Sequence, residues 1–343
     1  MVHAYKIEKL TISLHRGHAG CLVGLWLFVM TGATAAPIAG GDAAPTGQAG
    51  RHVLHGHVPS AVPRLKALGR LPSATNLNLA IGLPLRNPAG LGYLLRQMYD
   101  PASPQYRHYL TPEQFTDQFG PTKADYQAVI QFAEAHGLRV TCTHPNRVVL
   151  DVAGSVANIE RALHVTMCTF AYPTEARAFH APDREPSLDL PLPILHISGL
   201  DSFALPRPRS HIEPAAQTGR AAPNSGSGTS GSYRGDDFRA AYVPGTTLTG
   251  VGQSVALLQY DGYYDNDIAS YISQCGISTS VILTNIAVDG GISTPGSDNN
   301  EVCLDIEMAI AMAPGLTRIY VYEAPNPSPW VDLLSRMAND NLA

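Results

Sequence analysis

The chain has 343 residues, of which 45% are hydrophobic and 15% are charged, so most of it can fold around an apolar core. The formal net charge of −5 argues against a nucleic-acid-binding protein. The charge is uneven, because residues 233–343 hold 13 acidic residues and only four arginines, whereas the preceding residues are mildly basic overall. We expect these two regions to attract each other near neutral pH.

Residues 1–35 have the features of a secretory signal. A basic start precedes an apolar run from Cys21 to Met30 that is too short to span a bilayer, and Ala33-Thr34-Ala35 is typical of a cleavage site. The sequence therefore predicts a secreted protein, extracellular or periplasmic, with no membrane contact after signal removal.

Export permits disulfides, but the sequence does not decide their pairing. Four cysteines remain after loss of the signal, and they allow three connectivities. They are Cys142, Cys168, Cys275 and Cys303. The chain has no Cys-x-x-Cys motif, which argues against a structural zinc site.

A first folded unit is predicted over residues 51–205, after an Ala/Gly/Pro-rich mobile spacer over 36–50. In chain order, its predicted elements begin with a strand over 77–83 and three helices, of which the first covers 89–99, the second begins at Pro112 and the third covers 123–136. They are followed by a hairpin of strands 139–143 and 147–152, a helix over 155–163 and a strand over 164–172. This order predicts an α+β domain, ferredoxin-like, with one small antiparallel sheet.

Residues 206–232 are rich in Pro, Ser and Gly, which indicates a linker. An exposed linker suits proteolytic processing. A second unit is predicted over 233–343. Its predicted strands cover 254–258, 281–288 and 318–322, and its predicted helices cover 265–274, 301–313 and 329–338. This alternation predicts an α/β domain with a parallel sheet, and three strands do not complete such a domain.

The most informative residues of the second unit are Glu301 and Asp305. Their spacing of four places both carboxylates on one face of a helix. The helix is otherwise apolar except for Glu307, so we expect it to be buried nearly all round, with Glu307 as an ordinary solvated acid on roughly the opposite side. Two carboxylates on one face suit proton transfer at acid pH. The alternative is a pair of surface acids.

Histidine is missing where a conventional triad would need it. The last histidine is His211, so residues 233–343 contain none. Asp261 follows the first predicted strand, where the aspartate of a Ser-His-Asp hydrolase could sit, but no histidine follows it. A carboxylate would have to do the work that histidine does in such enzymes.

Five segments together resemble the sedolisin (serine-carboxyl peptidase) family. They are Tyr106–Phe115 and Phe119–Pro121 in the first unit, and Asp237–Tyr242, Gly250–Gln253 and Glu301–Gly315 in the second. The resemblance implies that residues 51–205 are a kumamolisin-type activation propeptide. It also implies that residues 233–343 are the N-terminal part of a subtilisin-like peptidase domain, which we expect to be C-terminally incomplete.

The resemblance also implies roles for individual residues. Glu301 matches the general base that takes a proton from the nucleophilic serine, and Asp305 matches the acid that supports this base. The serine and an oxyanion-stabilising aspartate lie downstream in the family, and so do the ligands of its calcium ion, which we expect to be absent from this chain. The implied partners are a peptide or protein substrate and the chain's own propeptide, docked on the catalytic domain.

Two positions need separate comment. Ser227-Gly228-Thr229-Ser230 resembles the nucleophile signature of the family, but it precedes the catalytic domain and is interpreted as linker sequence. Gln259 stands at the end of the first strand, where some family members carry a supporting glutamate.

Three functions remain open at this point. The first is an acid-active secreted peptidase made as a zymogen, of which this chain lacks the serine and is therefore inactive alone. The second is a truncated non-enzyme that acts only as a propeptide chaperone or inhibitor. The third, a hydrolase that uses Asp261, is disfavoured by the missing histidine. Ten histidines between His52 and His211 lead to a further hypothesis, that their protonation on acidification weakens propeptide docking.

Overall fold

A computed structural model describes residues 51–208, 226–228 and 231–343. The predicted signal over 1–35 and the spacer over 36–50 lie outside the described residues, as does most of the predicted linker. Within the described part of the chain, no helix is both long and apolar enough to cross a membrane.

The first region, residues 51–208, contains nine strands and four α-helices. The strands are β1 (His52–Val53), β2 (Ala67–Arg70), β3 (Asn76–Gly82), β4 (Arg139–Thr143), β5 (Val149–Ser155), β6 (Met167–Ala171), β7 (Ala178–Pro182), β8 (Ser187–Leu188) and β9 (His196–Ser198). The helices are α1 (Pro88–Tyr99), α2 (Pro112–Phe119), α3 (Lys123–Ala135) and α4 (Val156–Leu163). The predicted strand over 164–172 is shorter than expected, because His164 ends α4 with φ +54° and β6 begins only at Met167.

Local capping explains where several of these helices begin. The Thr111 hydroxyl accepts a hydrogen bond from the Gln114 N–H, and the Gln114 side chain accepts one from the Thr111 N–H, which completes a capping box. Ser155 caps α4 in the same manner through the Asn158 N–H. The two helices begin at Pro112 and Val156, close to the starts predicted from the sequence.

The antiparallel pairing is confirmed, but the prediction of a single small sheet is wrong. The strands form a four-stranded sheet in the order β4-β5-β3-β9, a three-stranded sheet β2-β6-β7 and a short β1-β8 pair. Leu79 and Val152 of the four-stranded sheet share a buried core with Val129 of α3 and Ile159 of α4. Because side chains alternate along a strand, Asp151 of β5 points to the opposite face.

The second region is built around a parallel sheet. Its elements are α5 (Gly235–Tyr242), β10 (Ser254–Gln259), α6 (Asp265–Cys275), β11 (Ile282–Ala287), α7 (Asn299–Met312), β12 (Arg318–Glu323) and α8 (Trp330–Asp340). The strand order is β10-β12-β11 and all pairs are parallel, as predicted. Gly276, with φ +64°, ends α6 as the sequence indicated.

The sheet of the second region has a different helix layer on each face. Ile319 and Val321 of β12 pack in one core with Ile268 of α6 and Ile306 of α7. Tyr322 packs on the other face with Leu333 of α8. Helix α8 also contacts β5, so it connects the parallel sheet to the outer face of the four-stranded sheet.

Candidate active site

The carboxyl ends of the three parallel strands meet at one edge of the sheet. Gln259 of β10 and Ala287 of β11 both pair in register with Glu323 of β12. Ligands and catalytic groups collect at this edge in open α/β sheets. The candidate site therefore lies where the sheet ends and α7 begins.

Asp261 fixes the start of α7 by holding the loop before it. Its Oδ1 accepts hydrogen bonds from the N–H groups of Gly262 (2.8 Å) and Gly296 (2.6 Å), and its Oδ2 accepts one from the N–H of Asp298 (2.9 Å). Asp261 is buried. Both of its oxygens are occupied by backbone donors, so its contacts are those of a structural residue rather than of the acid in a hydrolase triad.

Glu301 and Asp305 of α7 line one cavity of about 170 Å³. The structure thus brings the two predicted site residues together on the same side of the helix. Glu301 Oε2 is buried and has no hydrogen-bond partner among the described residues. A carboxylate oxygen in this state is available to accept a proton from a group placed in the cavity.

Gln259 completes this arrangement. Its Nε2 donates a hydrogen bond to Asp305 Oδ2 over 2.7 Å, and its side chain is buried. The amide therefore fixes one oxygen of Asp305. The sequence had singled out Gln259 as a departure from the family pattern, and the contact shows that the position touches the carboxylate pair.

The expectation that α7 is buried nearly all round is wrong. Leu304 is 41% exposed, and Met308 is only half-buried. The helix packs against α5, α6 and the sheet, which leaves part of its surface uncovered among the described residues.

The interpretation of Glu307 as a solvated acid is also wrong. Glu307 is half-buried, and burial, followed by the negative charge of Asp267, raises its pKa to about 7. It lies outside the cavity that Glu301 and Asp305 share.

Sequence reasoning missed Glu323. This residue is 5% exposed, its Oε1 has no hydrogen-bond partner among the described residues, and burial, then the charge of Asp261, raises its pKa to about 7. Its place at the carboxyl end of the central parallel strand was the signal that could have identified it.

The first three residues of the predicted linker, 206–208, border the cavity of Glu301 and Asp305. Pro206, Arg207 and Pro208 line it, and the Asn326 side chain donates a hydrogen bond to the Pro206 carbonyl over 2.9 Å. Arg207 is also ion-paired with Glu175 of the first region, at 2.5 Å. These three residues therefore form one wall of the cavity that Glu301 and Asp305 also line, while residues 209–225 and 229–230 lie outside the described part.

Ser227, from the segment that resembles a nucleophile signature, has a different environment. Its hydroxyl and its N–H both donate to Asp237 Oδ2, and it does not line the cavity of Glu301. The four cysteines within the described ranges, Cys142, Cys168, Cys275 and Cys303, are free thiols.

Comparison with known proteins gives a consistent result. Residues 63–203 match the family model described as "Pro-kumamolisin, activation domain". The chain is related to sedolisin-family precursors and carries a kumamolisin-type activation domain. That activation domain is the region of antiparallel sheets described above.

Three curated relatives extend the similarity beyond the activation domain. Kumamolisin from Bacillus sp. (strain MN-32) is 31% identical over 285 residues, which are 80% of this chain and 50% of that protein. Xanthomonalisin from Xanthomonas sp. (strain T-22) is 23% identical over 73% of this chain and 31% of that protein. Sedolisin from Pseudomonas sp. (strain 101) is 23% identical over 75% of this chain and 43% of that protein. The chain spans half or less of the length of these relatives.

Proposed function

We propose that this chain is the front part of a secreted serine-carboxyl peptidase precursor and carries its general base. Glu301 takes the proton from a serine hydroxyl as that serine attacks a peptide carbonyl, and Asp305 holds Glu301 in position. Gln259 orients Asp305 through the 2.7 Å hydrogen bond. The observation that carries the proposal is the shared cavity, in which Glu301 presents a buried oxygen without a partner.

The fold assignments and the missing groups belong to the same proposal. The first region is a ferredoxin-like activation propeptide, and the second is an incomplete subtilisin-like domain. The nucleophilic serine, the oxyanion aspartate and the calcium ligands are supplied by sequence outside these 343 residues. A reading frame that continues with Ser-Gly-Thr-Ser followed by Ala or Pro would support this.

The propeptide keeps the enzyme inactive by two contacts. Residues 206–208 line the cavity of Glu301 and Asp305, and the activation domain is joined to α8 by a buried hydrogen bond from Asn146 to Ser335 (3.0 Å). Release of both contacts opens the site. The substrate is a peptide or protein chain.

The test uses the complete precursor. Glu301→Gln and Asp305→Asn should each lower self-processing and peptide hydrolysis by roughly a hundredfold or more, since each removes part of the proton-transfer machinery. Glu307→Gln, on the same helix but outside the cavity, is the matched control and should retain activity. Activity of Glu301→Gln within a few-fold of the parent enzyme would contradict the assignment.

A second experiment concerns the 343-residue chain itself. We expect it to hydrolyse no peptide in a mixed peptide library at acid or neutral pH, because the nucleophile is missing. Hydrolysis that Glu301→Gln abolishes would show that a nucleophile is present in this chain.

A further inference from the structure

A second group of acidic side chains lies where the activation domain meets the second region, outside the cavity of Glu301. Asp151 lies on β5, Asp289 follows β11, and Asp332 stands in the first turn of α8. Each offers a carboxylate oxygen, and these oxygens lie within 4.8 Å of one another. Asp151 is 5% exposed and Asp332 is 2% exposed, while Asp289 is open to solvent.

Each of the two buried members of this group has one carboxylate oxygen without a donor. Asp151 Oδ1 and Asp332 Oδ1 are both buried without a hydrogen-bond partner among the described residues. Both residues line a cavity of about 480 Å³. Unpaired buried carboxylates are costly, and like charges at this spacing repel each other. A positive species between them would remove both penalties.

The surrounding side chains supply too little positive charge. His144 Nε2 lies 2.8 Å from Asp151 Oδ2 and is already hydrogen-bonded to it. Arg336 lines the cavity, but its Nε donates to both carboxylate oxygens of Asp340 at 2.9 Å. Arg139 also lines it, is exposed, and forms no ion pair with a carboxylate in the described part of the chain. Three ionised carboxylates and one arginine without an acidic partner leave two negative charges, apart from any contribution of His144.

We propose that Asp151, Asp289 and Asp332 bind a hard divalent cation, such as Ca²⁺ or Mn²⁺, that ties the activation domain to the region that follows it. Carboxylate oxygens are the donors that such cations prefer, and water in the cavity completes the coordination. Two positive charges match the two unbalanced negative ones. His144 is a positioning residue, because its hydrogen bond fixes the carboxylate of Asp151.

The protein offers one competing donor set at the same place. Cys142 Sγ, a nitrogen of His144 and an oxygen of Asp151 also lie within 4.8 Å of one another, which is a set typical of Zn²⁺. Zinc would need the thiolate of Cys142, whose side chain is exposed, and would leave the buried Asp332 Oδ1 without a partner. The two unpartnered oxygens also belong to the carboxylate set, which is why that set is preferred.

A shared proton is the other alternative. Burial, followed by the charge of Asp151, raises the pKa of Asp332, so without a cation one carboxyl of this pair would hold a proton. The two alternatives differ in their response to added metal. Loss of binding in Asp332→Asn assigns the cation to this site, because Asp332 belongs to the carboxylate set and not to the set that contains Cys142.

The direct test is Mn²⁺ binding to the 343-residue chain at neutral pH. Binding is measured by the loss of the electron paramagnetic resonance signal of free Mn²⁺. We expect one site that Ca²⁺ competes for, and Asp332→Asn should weaken binding roughly tenfold or more because a charged ligand is lost. His144→Gln should weaken it roughly tenfold. Asp265→Asn is the matched control, since Asp265 stands in the first turn of α6 but is exposed, and it should bind as the parent chain does.

Thermal unfolding with and without Ca²⁺ tests the site even if a variant changes the stability of the chain, because each variant is compared with itself. Excess Ca²⁺ should raise the midpoint of the parent chain above its value in chelator, because a cation that binds only the folded state stabilises it. Asp332→Asn should lose this rise, yet be at least as stable in chelator, since one of three repelling charges is gone. The proposal is wrong if Mn²⁺ does not bind, if Asp332→Asn binds it equally well, or if only Zn²⁺ binds and Cys142→Ser abolishes that binding.

Discussion

Gln259 Nε2 donates a hydrogen bond to Asp305 Oδ2 over 2.7 Å, at the edge of the sheet where α7 begins. The contact joins the end of a parallel strand to the helix that carries Glu301. Asp305 is thereby held by a neutral donor rather than by a third acid. The choice of an amide at this position should affect the pH dependence of any reaction that Glu301 serves.

Gln259→Glu should move the acidic limb of the peptide-hydrolysis rate of the complete precursor to higher pH. An added negative charge disfavours ionisation of the carboxyls beside it. The pH profile of kcat/KM measures the effect, and Gln274→Glu, at an exposed position of α6, is the control. An unchanged profile for Gln259→Glu would mean that the amide does not influence the carboxylate pair.

Glu323→Gln should stabilise the chain at neutral and higher pH. Burial raises the folded-state pKa of Glu323 to about 7, so the folded protein holds a proton there that the unfolded chain releases above its ordinary pKa of 4.5. Stability is therefore lost as pH rises from 4.5 through 7. The amide removes this loss, which is on the order of 3 kcal/mol above the folded pKa.

Urea unfolding at several pH values measures the effect of Glu323→Gln. The variant and the parent chain should converge at acid pH and separate as pH rises. Glu134→Gln, at an exposed position of α3, serves as the control. A constant difference across the pH range would contradict the raised pKa.

His57 should make the activation domain less stable in acid. The Ile197 N–H donates to His57 Nε2 over 3.0 Å, so the ring is neutral. Burial, followed by the charge of the stacked His196, lowers the pKa of His57 below its ordinary value of 6.5. The contribution of His57 to stability is therefore present above pH 6.5 and is lost as pH falls through the lowered pKa. Burial likewise lowers the pKa of His180 and His196.

His57→Gln provides the test, since the amide oxygen can still accept from Ile197 but does not titrate near neutral pH. Between neutral pH and roughly pH 5 the variant should lose less unfolding free energy than the parent chain. His108→Gln, at an exposed position, should leave the pH dependence unchanged. Equal pH dependence in all three proteins would reject the role of His57.

Ser335→Ala should weaken the attachment of the activation domain to α8. The Asn146 Nδ2 donates to Ser335 Oγ over 3.0 Å, and both residues are buried, so the variant leaves an amide donor without an acceptor. We expect a loss of about 1–3 kcal/mol of unfolding free energy. Ser270→Ala, whose hydroxyl bonds only within its own helix, should cost less. A double-mutant cycle with Asn146→Ala measures the coupling, and additive effects would contradict a direct contact.

The sequence by itself located every α-helix described above except α5, and the three strands of the parallel sheet, because their signals are local. It located only four of the nine strands of the first region, β3 to β6, because the others are short or marked only by distant partners. Thr111 and Ser155 cap helices within three residues, Gly276 ends one, and hydrophobic periodicity marks the rest. The pairing of Glu301 with Asp305 is equally local, since residues four apart share a helix face. Only the tertiary structure decided what surrounds that pair. Three features depend on how distant segments pack. They are the hydrogen bond from Gln259 to Asp305, the place of residues 206–208 in the wall of the cavity and the partial burial of Glu307.

The cluster of Asp151, Asp289 and Asp332 is the clearest case. No spacing in the sequence links these residues, because one lies on a strand of the activation domain and the others lie beyond the linker. Periodicity within an element determines which face a residue occupies, but not which face of another element will meet it. The three aspartates lie together because α8 packs against β5.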